Sequence, residues 1–392
     1  MSGELSRRET LKQAMALAAA LSVPDWVLPA LAQGEVDVPF TDVPDTFNPR
    51  PADGNRRSLD LRAINGPITP NDQFFFIQHY DRPEIDGGAY KLKLTGLVER
   101  PVELSLADIK AIKPVDIVCG YECSGNSPGA MQGLSSNARF TGVRLRDVLK
   151  RAGVQEKARE VVFFGTDRGN EDVVFRQNTF KVQQQFARSI TIENAMKSSE
   201  ALLAYAMNGQ PLDRNHGFPL RVIMPGWYGV ANVKWLAEVH LQEARFLGNF
   251  QARWYRTLRA VGGSGDEKDP QTQFVENEIT RLNLKSTVAR VRKTPSGDLR
   301  VIGYALNDGT PLRSVEVKVD NGPWQPAQLD PSNTKYSWKL FSYSWKGASP
   351  GEHTIVSRAT DINGAVQPTA DELARKKTFL ENSSQFPRKI RV

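Results

Sequence analysis

The sequence predicts an α+β domain followed by an all-β one, and three observations carry that expectation. Strands and short helices mix without a regular βαβ rhythm between residues 90 and 165. A polar, glycine-rich stretch, Gly262 to Pro270 (GGSGDEKDP), has the composition of a segment that joins domains. Beyond it almost every segment alternates apolar and polar residues between turn signals, as in a β-sandwich of immunoglobulin type. A chain of 392 residues also exceeds the length at which a single core stops growing.

Taken in order, the elements begin with a leader. Ser6, Arg7 and Arg8 precede an apolar run from Ala14 to Leu21, and Ala30, Leu31, Ala32 supply a small-x-small cleavage site. Residues 1–32 therefore read as a twin-arginine signal peptide with Gln33 as the mature start, which sends the protein to the periplasm already folded. That route suits a chain that captures a cofactor before export. The apolar run is far shorter than the roughly 20 residues needed to span a bilayer, and no later segment qualifies, so no membrane span is expected.

Asp37 to Arg62 is rich in Pro, Asp and Asn and reads as an extended surface arm. Tyr90 to Leu97 has strand periodicity, and Ser105 to Asp108 forms a capping box that opens a short helix. Val115 to Cys119 reads as a strand, Arg144 to Ala152 as a helix stopped by Gly153, and Glu160 to Gly165 as a buried strand. In the C-terminal part, strands are expected over Arg300–Ala305, Ser314–Asp320, Lys335–Ser344 and His353–Thr360. The expected division is 1–32 leader, 33–265 first domain and 266–392 sandwich.

Composition excludes several classes. With 40% hydrophobic and 24% charged residues the chain is an ordinary globular protein. Its net charge of +7 belongs to the part after the leader, where three positive and three negative residues cancel, and a basic surface attracts small anions and acidic partner proteins. No basic run interleaved with aromatics appears, so nucleic acid is set aside. Two cysteines cannot make a disulfide scaffold, and with four histidines they supply a structural zinc site poorly.

Both cysteines lie in Cys119 to Gly129 (CGYECSGNSPG). From composition alone Cys123 is a buried thiol, a disulfide partner of Cys119 or a metal ligand; the small residues around it let a bulky cofactor approach the sulfur. A second segment, Leu203 to Leu236, places His216 and Arg221 on either side of a Gly-Phe-Pro turn, with Lys234 and the backbone amides of Asn232 and Val233 beyond a glycine-rich loop. That is the donor set a phosphate or polar heterocycle requires; the plain alternative is a solvated surface turn.

CSGN at Cys123–Asn126, MNGQPLDRNHGFPLRVIMPG followed by VKWL, and the C-terminal RATD and VQP segments resemble the sulfite oxidase family across nearly the whole mature chain. The resemblance implies a molybdopterin-binding domain at 33–265 and a dimerisation domain at 266–392, hence a homodimer. It implies that Cys123 is the protein ligand to molybdenum held by a single pyranopterin, leaving Cys119 as a buried free thiol. His79, Asp167, His216, Arg221, Asn232, Val233 and Lys234 match cofactor contacts, and Tyr255 matches the active-site tyrosine. Without the resemblance, His79 beside three phenylalanines reads as a packed core residue, and Tyr255 as an amphipathic anchor.

The sequence also departs from the family. Ile77 stands where an arginine is usual two residues before His79, Pro128 falls where another is often found after the CxGN motif, and alignment on Asn382 puts Lys377 in the place of a third. Lysine holds an oxyanion at one point where arginine grips it at two. There is no CxxCH motif and no haem domain before Asp37, so no haem is expected and electrons are expected to leave to an external c-type cytochrome. The resemblance thus implies a periplasmic sulfite dehydrogenase in which Tyr255, Gln78 and Lys377 orient the oxyanion. The rivals are a sulfane dehydrogenase subunit or S-oxide reductase of the same family and, in another class, a secreted β-sandwich binding protein.

Overall fold

A computed structural model describes residues 34–50, 54, 56–197 and 200–392. The expected leader lies outside the described residues. Among them no helix is long and apolar enough to cross a membrane.

The arm begins with a short strand, β1 (Val36–Asp37), and after a turn runs through β2 (Arg56–Arg57), which pairs antiparallel with β3 (Phe76–Ile77). β4 (Lys91–Gly96) and β5 (Val102–Ser105) form a hairpin. The Ser105 and Asp108 side chains cap the following helix α1 (Leu106–Lys110) reciprocally, as the sequence predicts. β6 (Val115–Glu122) runs three residues past its expected end, up to Cys123 itself, and pairs with β7 (Ser135–Arg144). Helix α2 (Leu145–Ala152) stops at Gly153, whose φ of 73° ends it without a Cβ penalty.

The strand expected over Glu160–Gly165 is the buried first half of β8 (Glu160–Phe175), which pairs with β9 (Asn178–Thr191) in a long hairpin that leaves the core. Helix α3 (Ile192–Lys197), β10 (Leu202–Met207), β11 (Gln210–Pro211), β12 (Arg221–Ile223) and β13 (Leu236–Gln242) complete this part. Two sheets result, one ordered β11-β10-β7-β6 with β12 also on β10, the other β5-β4-β13-β8-β9. Only β13 and β4 are parallel in the second sheet. The first domain is therefore mostly sheet with few helices.

The stretch Gly262–Pro270 is not the expected linker. It lies in the turn of a hairpin between β14 (Arg256–Val261) and β15 (Gln273–Glu278), with Val261 opposite Gln273. Gly262 and Gly263 take positive φ there, and Asp269 accepts hydrogen bonds from the Ser264 and Gln271 amides. Turn chemistry and linker chemistry use the same residues, which is why composition alone misassigns the stretch.

Strands β16 (Lys285–Lys293), β17 (Leu299–Leu306), β18 (Leu312–Val319), β19 (Gln325–Pro326), β20 (Gln328–Leu329), β21 (Lys339–Trp345), β22 (Glu352–Asp361) and β23 (Arg388–Arg391) build two antiparallel sheets, ordered β1-β16-β17-β21-β20 and β19-β18-β22-β23. On β17 the period of two is decisive. Leu299, Val301 and Ala305 join the core between the sheets, whereas Ile302, Tyr304 and Leu306 join the core of the first domain. One sheet is thus covered on both faces, and the arm is fastened to it by Asp37 on Arg290 (2.6 Å) and Glu35 on Arg292.

Candidate active site

Four residues, Ile77, His79, Cys123 and Tyr255, line two cavities at once. The inner cavity contains about 620 Å³ of space free of protein atoms, the outer about 1490 Å³, part of it open to solvent. Cys123 stands on the wall they share.

The loop that presents Cys123 is fixed from several sides. Its amide donates to Leu134 O (2.9 Å), its carbonyl accepts from the Asn126 amide (2.9 Å), and the Asn126 side chain ties Glu122, Gln132 and Leu134 together. Glu122 makes a buried ion pair with Lys285 of β16 (3.1 Å), so the C-terminal part reaches the residue before the thiol. A Cβ at Gly125 would lie 3.8 Å from Cys123 Sγ, and its absence keeps that side of the sulfur open. Both cysteines are free and buried; burial raises the Cys123 thiol to about 11 and Cys119 to about 12. Cys119 points into the apolar cluster around Phe74 and Phe140.

The inner cavity gathers His216, Arg221, Lys234, Asp167, Gln78 and Asn232 from the predicted set. Asp213 caps the 3-10 turn Arg214–His216 and holds His216 Nδ1 at 2.8 Å, which leaves Nε2 buried without a partner. Burial lowers the His216 pKa despite that carboxylate. Gly217, with φ of 100°, threads between Lys234 and Arg221; a Cβ there would meet Lys234 Cα at 3.1 Å. Arg221 donates to His216 O (3.0 Å) and Asn232 O (3.2 Å), and its guanidinium lies 5.1 Å from the Tyr121 ring centroid. Lys234 Nζ donates to Ile77 O (3.2 Å) and Asn215 O (3.1 Å). Burial, reinforced by Arg221, lowers Lys234 to about 7, and burial raises Asp167 to about 7 against the pull of Lys234.

Tyr255 follows a π-helical turn (Asn249–Arg253), a distortion that recurs at functional sites. Its hydroxyl lies 2.7 Å from His79 Nε2. His79 is exposed and lines both cavities, stacked on Phe186 and Phe250; desolvation by the groups packed around the ring, with Lys234 positive nearby, lowers its pKa to about 4. Arg188 supports the region from behind by donating to Phe250 O and Ile279 O.

Three sequence expectations change. Lys377 lines neither cavity; it is exposed, its amide bonds Leu258 O (2.8 Å), and its ammonium lies 6.0 Å from the Phe274 ring centroid in the β14–β15 hairpin. Counting from Asn382 fails because the segment between them folds as its own loop beside the hairpin. Val233 packs in the core and lines neither cavity, and its carbonyl accepts from Val222. The Asn232 amide is spent on Gly229 O (3.0 Å) and its side chain on Met224 and Tyr228, so it shapes the loop instead of donating from its backbone. Sequence reasoning missed Tyr121 and Asn215 in the inner cavity and Arg56 and Trp254 in the outer one. Tyr121, Asn215 and Trp254 were readable from their places beside the thiol motif, His216 and Tyr255; Arg56 required the fold.

The residues fit an anionic, hydrogen-bonding organic cofactor that carries its own metal. His216 Nε2, Arg221 Nε, Asp167 Oδ1 and Gln78 Oε1 are buried polar atoms without protein partners. Among the described residues no group of three or more His, Cys, Asp and Glu side chains is placed to hold a metal, so Cys123 would be one ligand to a metal brought in by such a cofactor.

The family of the oxidoreductase molybdopterin binding domain matches residues 79–250. Mitochondrial sulfite oxidase of Homo sapiens is 32% identical over 329 residues, 77% of this chain and 57% of that protein. Sulfite oxidase of Gallus gallus is 30% identical over 325 residues, 77% of this chain and 68% of that protein. The chain thus spans a little over half the length of the human relative. The crystal structure of the sulfane dehydrogenase SoxCD from Paracoccus pantotrophus covers 100% of this chain and 95% of its own at a TM-score of 0.72 and 21% identity, a likeness of fold. With these relatives and a molybdopterin domain built around a single presented thiol, the chain belongs to the sulfite oxidase family of molybdenum oxidoreductases.

Proposed function

We propose that the protein is a sulfite dehydrogenase, exported to the periplasm by the twin-arginine route, that passes electrons one at a time to an external c-type cytochrome. The observation that carries this reading is the placement of Cys123 on the wall shared by a polar inner cavity and a wide outer one. The inner cavity suits the pyranopterin, held by His216, Arg221, Lys234 and Asp167; the outer suits the substrate. Sulfite and water give sulfate, two protons and two electrons, and molybdenum ligated by Cys123 would supply that oxygen transfer and two-electron change.

The chain supplies position and field. His79 is neutral near pH 7, so one ring nitrogen carries a hydrogen. With that hydrogen on Nε2, the ring donates to Tyr255 Oη and the phenol O–H is left to donate toward an oxyanion. The half-buried Gln78, whose buried Oε1 has no protein partner, lines the inner cavity with them. Protons released by the reaction can leave through the outer cavity, which opens to solvent. The two C-terminal sheets are read as an immunoglobulin-type module that forms a homodimer, and no haem is assigned to the chain.

The reading is tested with protein made with its leader: molybdenum near one equivalent, and sulfite-dependent reduction of cytochrome c that Cys123→Ser abolishes, are expected. A loaded protein inert toward sulfite would reject the substrate. A second reading, a sulfane dehydrogenase or S-oxide reductase, is favoured by the outer cavity itself, whose rim carries the exposed Trp254 and Phe379 and whose volume far exceeds that of a four-atom anion. A high KM for sulfite would select it.

A further inference from the structure

We infer that Arg56, carried on the N-terminal arm, is the anion anchor of the outer cavity and holds the oxyanion end of a sulfur substrate; this rests on the assignment of that cavity to substrate.

Ile77 faces both cavities, and the strand that carries it brings no charge to the outer one. β2 and β3 pair antiparallel with Arg56 directly opposite Ile77. Residues opposite each other in an antiparallel pair project to the same face, with Cβ atoms about 5 Å apart. Arg56 therefore lines the cavity on the same face as Ile77, one strand away from that apolar position. Among the described residues lining the outer cavity Arg56 is the one charged side chain once His79 is neutral, and none of them is a carboxylate.

The arm is built to keep it there. Arg57 donates to Asn71 O (3.3 Å) and lies 5.1 Å from the Phe76 ring centroid, which ties β2 to the segment around β3. The Leu59 amide bonds Gly133 O (2.7 Å), fastening the arm to the loop that follows Cys123. Arg56 itself is exposed, so its charge is available to a ligand and its replacement leaves the core intact. A single arginine with a planar fork grips two oxygens of one sulfur-bound oxyanion and leaves the aromatic rim free for whatever the sulfur is attached to.

The test compares the molybdenum-loaded wild type with Arg56→Gln and Arg56→Lys, by calorimetric titration with sulfate and with sulfite under anaerobic, acceptor-free conditions, alongside steady-state turnover. Arg56→Gln is expected to weaken sulfate binding and raise the sulfite KM by on the order of ten- to a hundredfold, the loss of one charge-assisted contact, with Arg56→Lys intermediate. Equal affinity within twofold in wild type and Arg56→Gln, at matched melting temperature and molybdenum content, overturns the inference. So does a loaded wild type that binds neither anion. Arg56-dependent anion binding without sulfite turnover supports the anchor while rejecting sulfite as the substrate, which separates this inference from the functional reading.

Discussion

Tyr255 Oη lies 2.7 Å from His79 Nε2, and the two rings meet edge to face at 5.5 Å between centroids. Burial raises the phenol, and desolvation by the flanking rings with Lys234 nearby lowers the imidazole, so the pair is neutral near pH 7 and shares a hydrogen without exchanging charge. An oxyanion in the outer cavity selects the tautomer that turns the phenol into a donor.

Tyr255→Phe removes that donor and keeps the ring. The expected result is a fall in kcat of about a hundredfold, the cost of deleting one oriented donor at a developing charge. Molybdenum content should stay at the wild-type level. Steady-state kinetics paired with metal analysis checks both, and a joint loss of metal would move Tyr255 from the reaction to the scaffold.

Lys377→Ala is expected to leave the sulfite KM within about twofold of wild type, because an exposed ammonium over Phe274 contributes little and lines neither cavity. The sequence alone points the other way. A KM rise comparable to that of Arg56→Gln would return Lys377 to the substrate site.

These two residues show what was legible. Cys123, His216 and Arg221 sit in unbroken segments whose local order fixes their geometry, and all three line the inner cavity. Arg56 belongs to an aperiodic arm, and its role depends on pairing with a strand twenty residues away, a contact that no local pattern encodes. Of the strands after residue 284, β17, β18, β21 and β22 were readable by alternation, whereas β16 was not: it is buried on both faces, and its Lys285, Arg290 and Arg292 look like solvent positions until the partners Glu122, Asp37 and Glu35 are known. Gly262–Pro270 misleads for the reason already given: a hairpin turn and a linker draw on the same residues.

Lys285→Met should destabilise the protein by about 3–5 kcal/mol, because it strands Glu122 without its charge partner in a buried site. The double variant Glu122→Gln/Lys285→Met should recover part of that loss. Urea unfolding of the wild type, the two single variants and the double variant measures it, and additive single effects would deny the coupling. Glu122 precedes the thiol and holds Asn126, so the single variant should also load less molybdenum.

Asp167 and Lys234 make cofactor capture depend on pH in a direction that can be worked out. Both titrate at about 7 in the cavity without cofactor, Lys234 lowered and Asp167 raised, each chiefly by burial. Below pH 7 the lysine is charged and the carboxyl neutral, which favours an incoming phosphate. Above pH 7 the lysine loses its proton and the carboxyl loses its own, so attraction is lost and repulsion gained. Both changes act in one direction, and capture should weaken by on the order of tenfold per pH unit for each group that must take up a proton. Reloading of cofactor-free protein across pH 6 to 8.5, read by bound molybdenum, should therefore fall with rising pH. Asp167→Asn removes one of the two protons from the balance and should make the fall shallower, whereas an unchanged slope would leave Lys234 as the sole titrating partner.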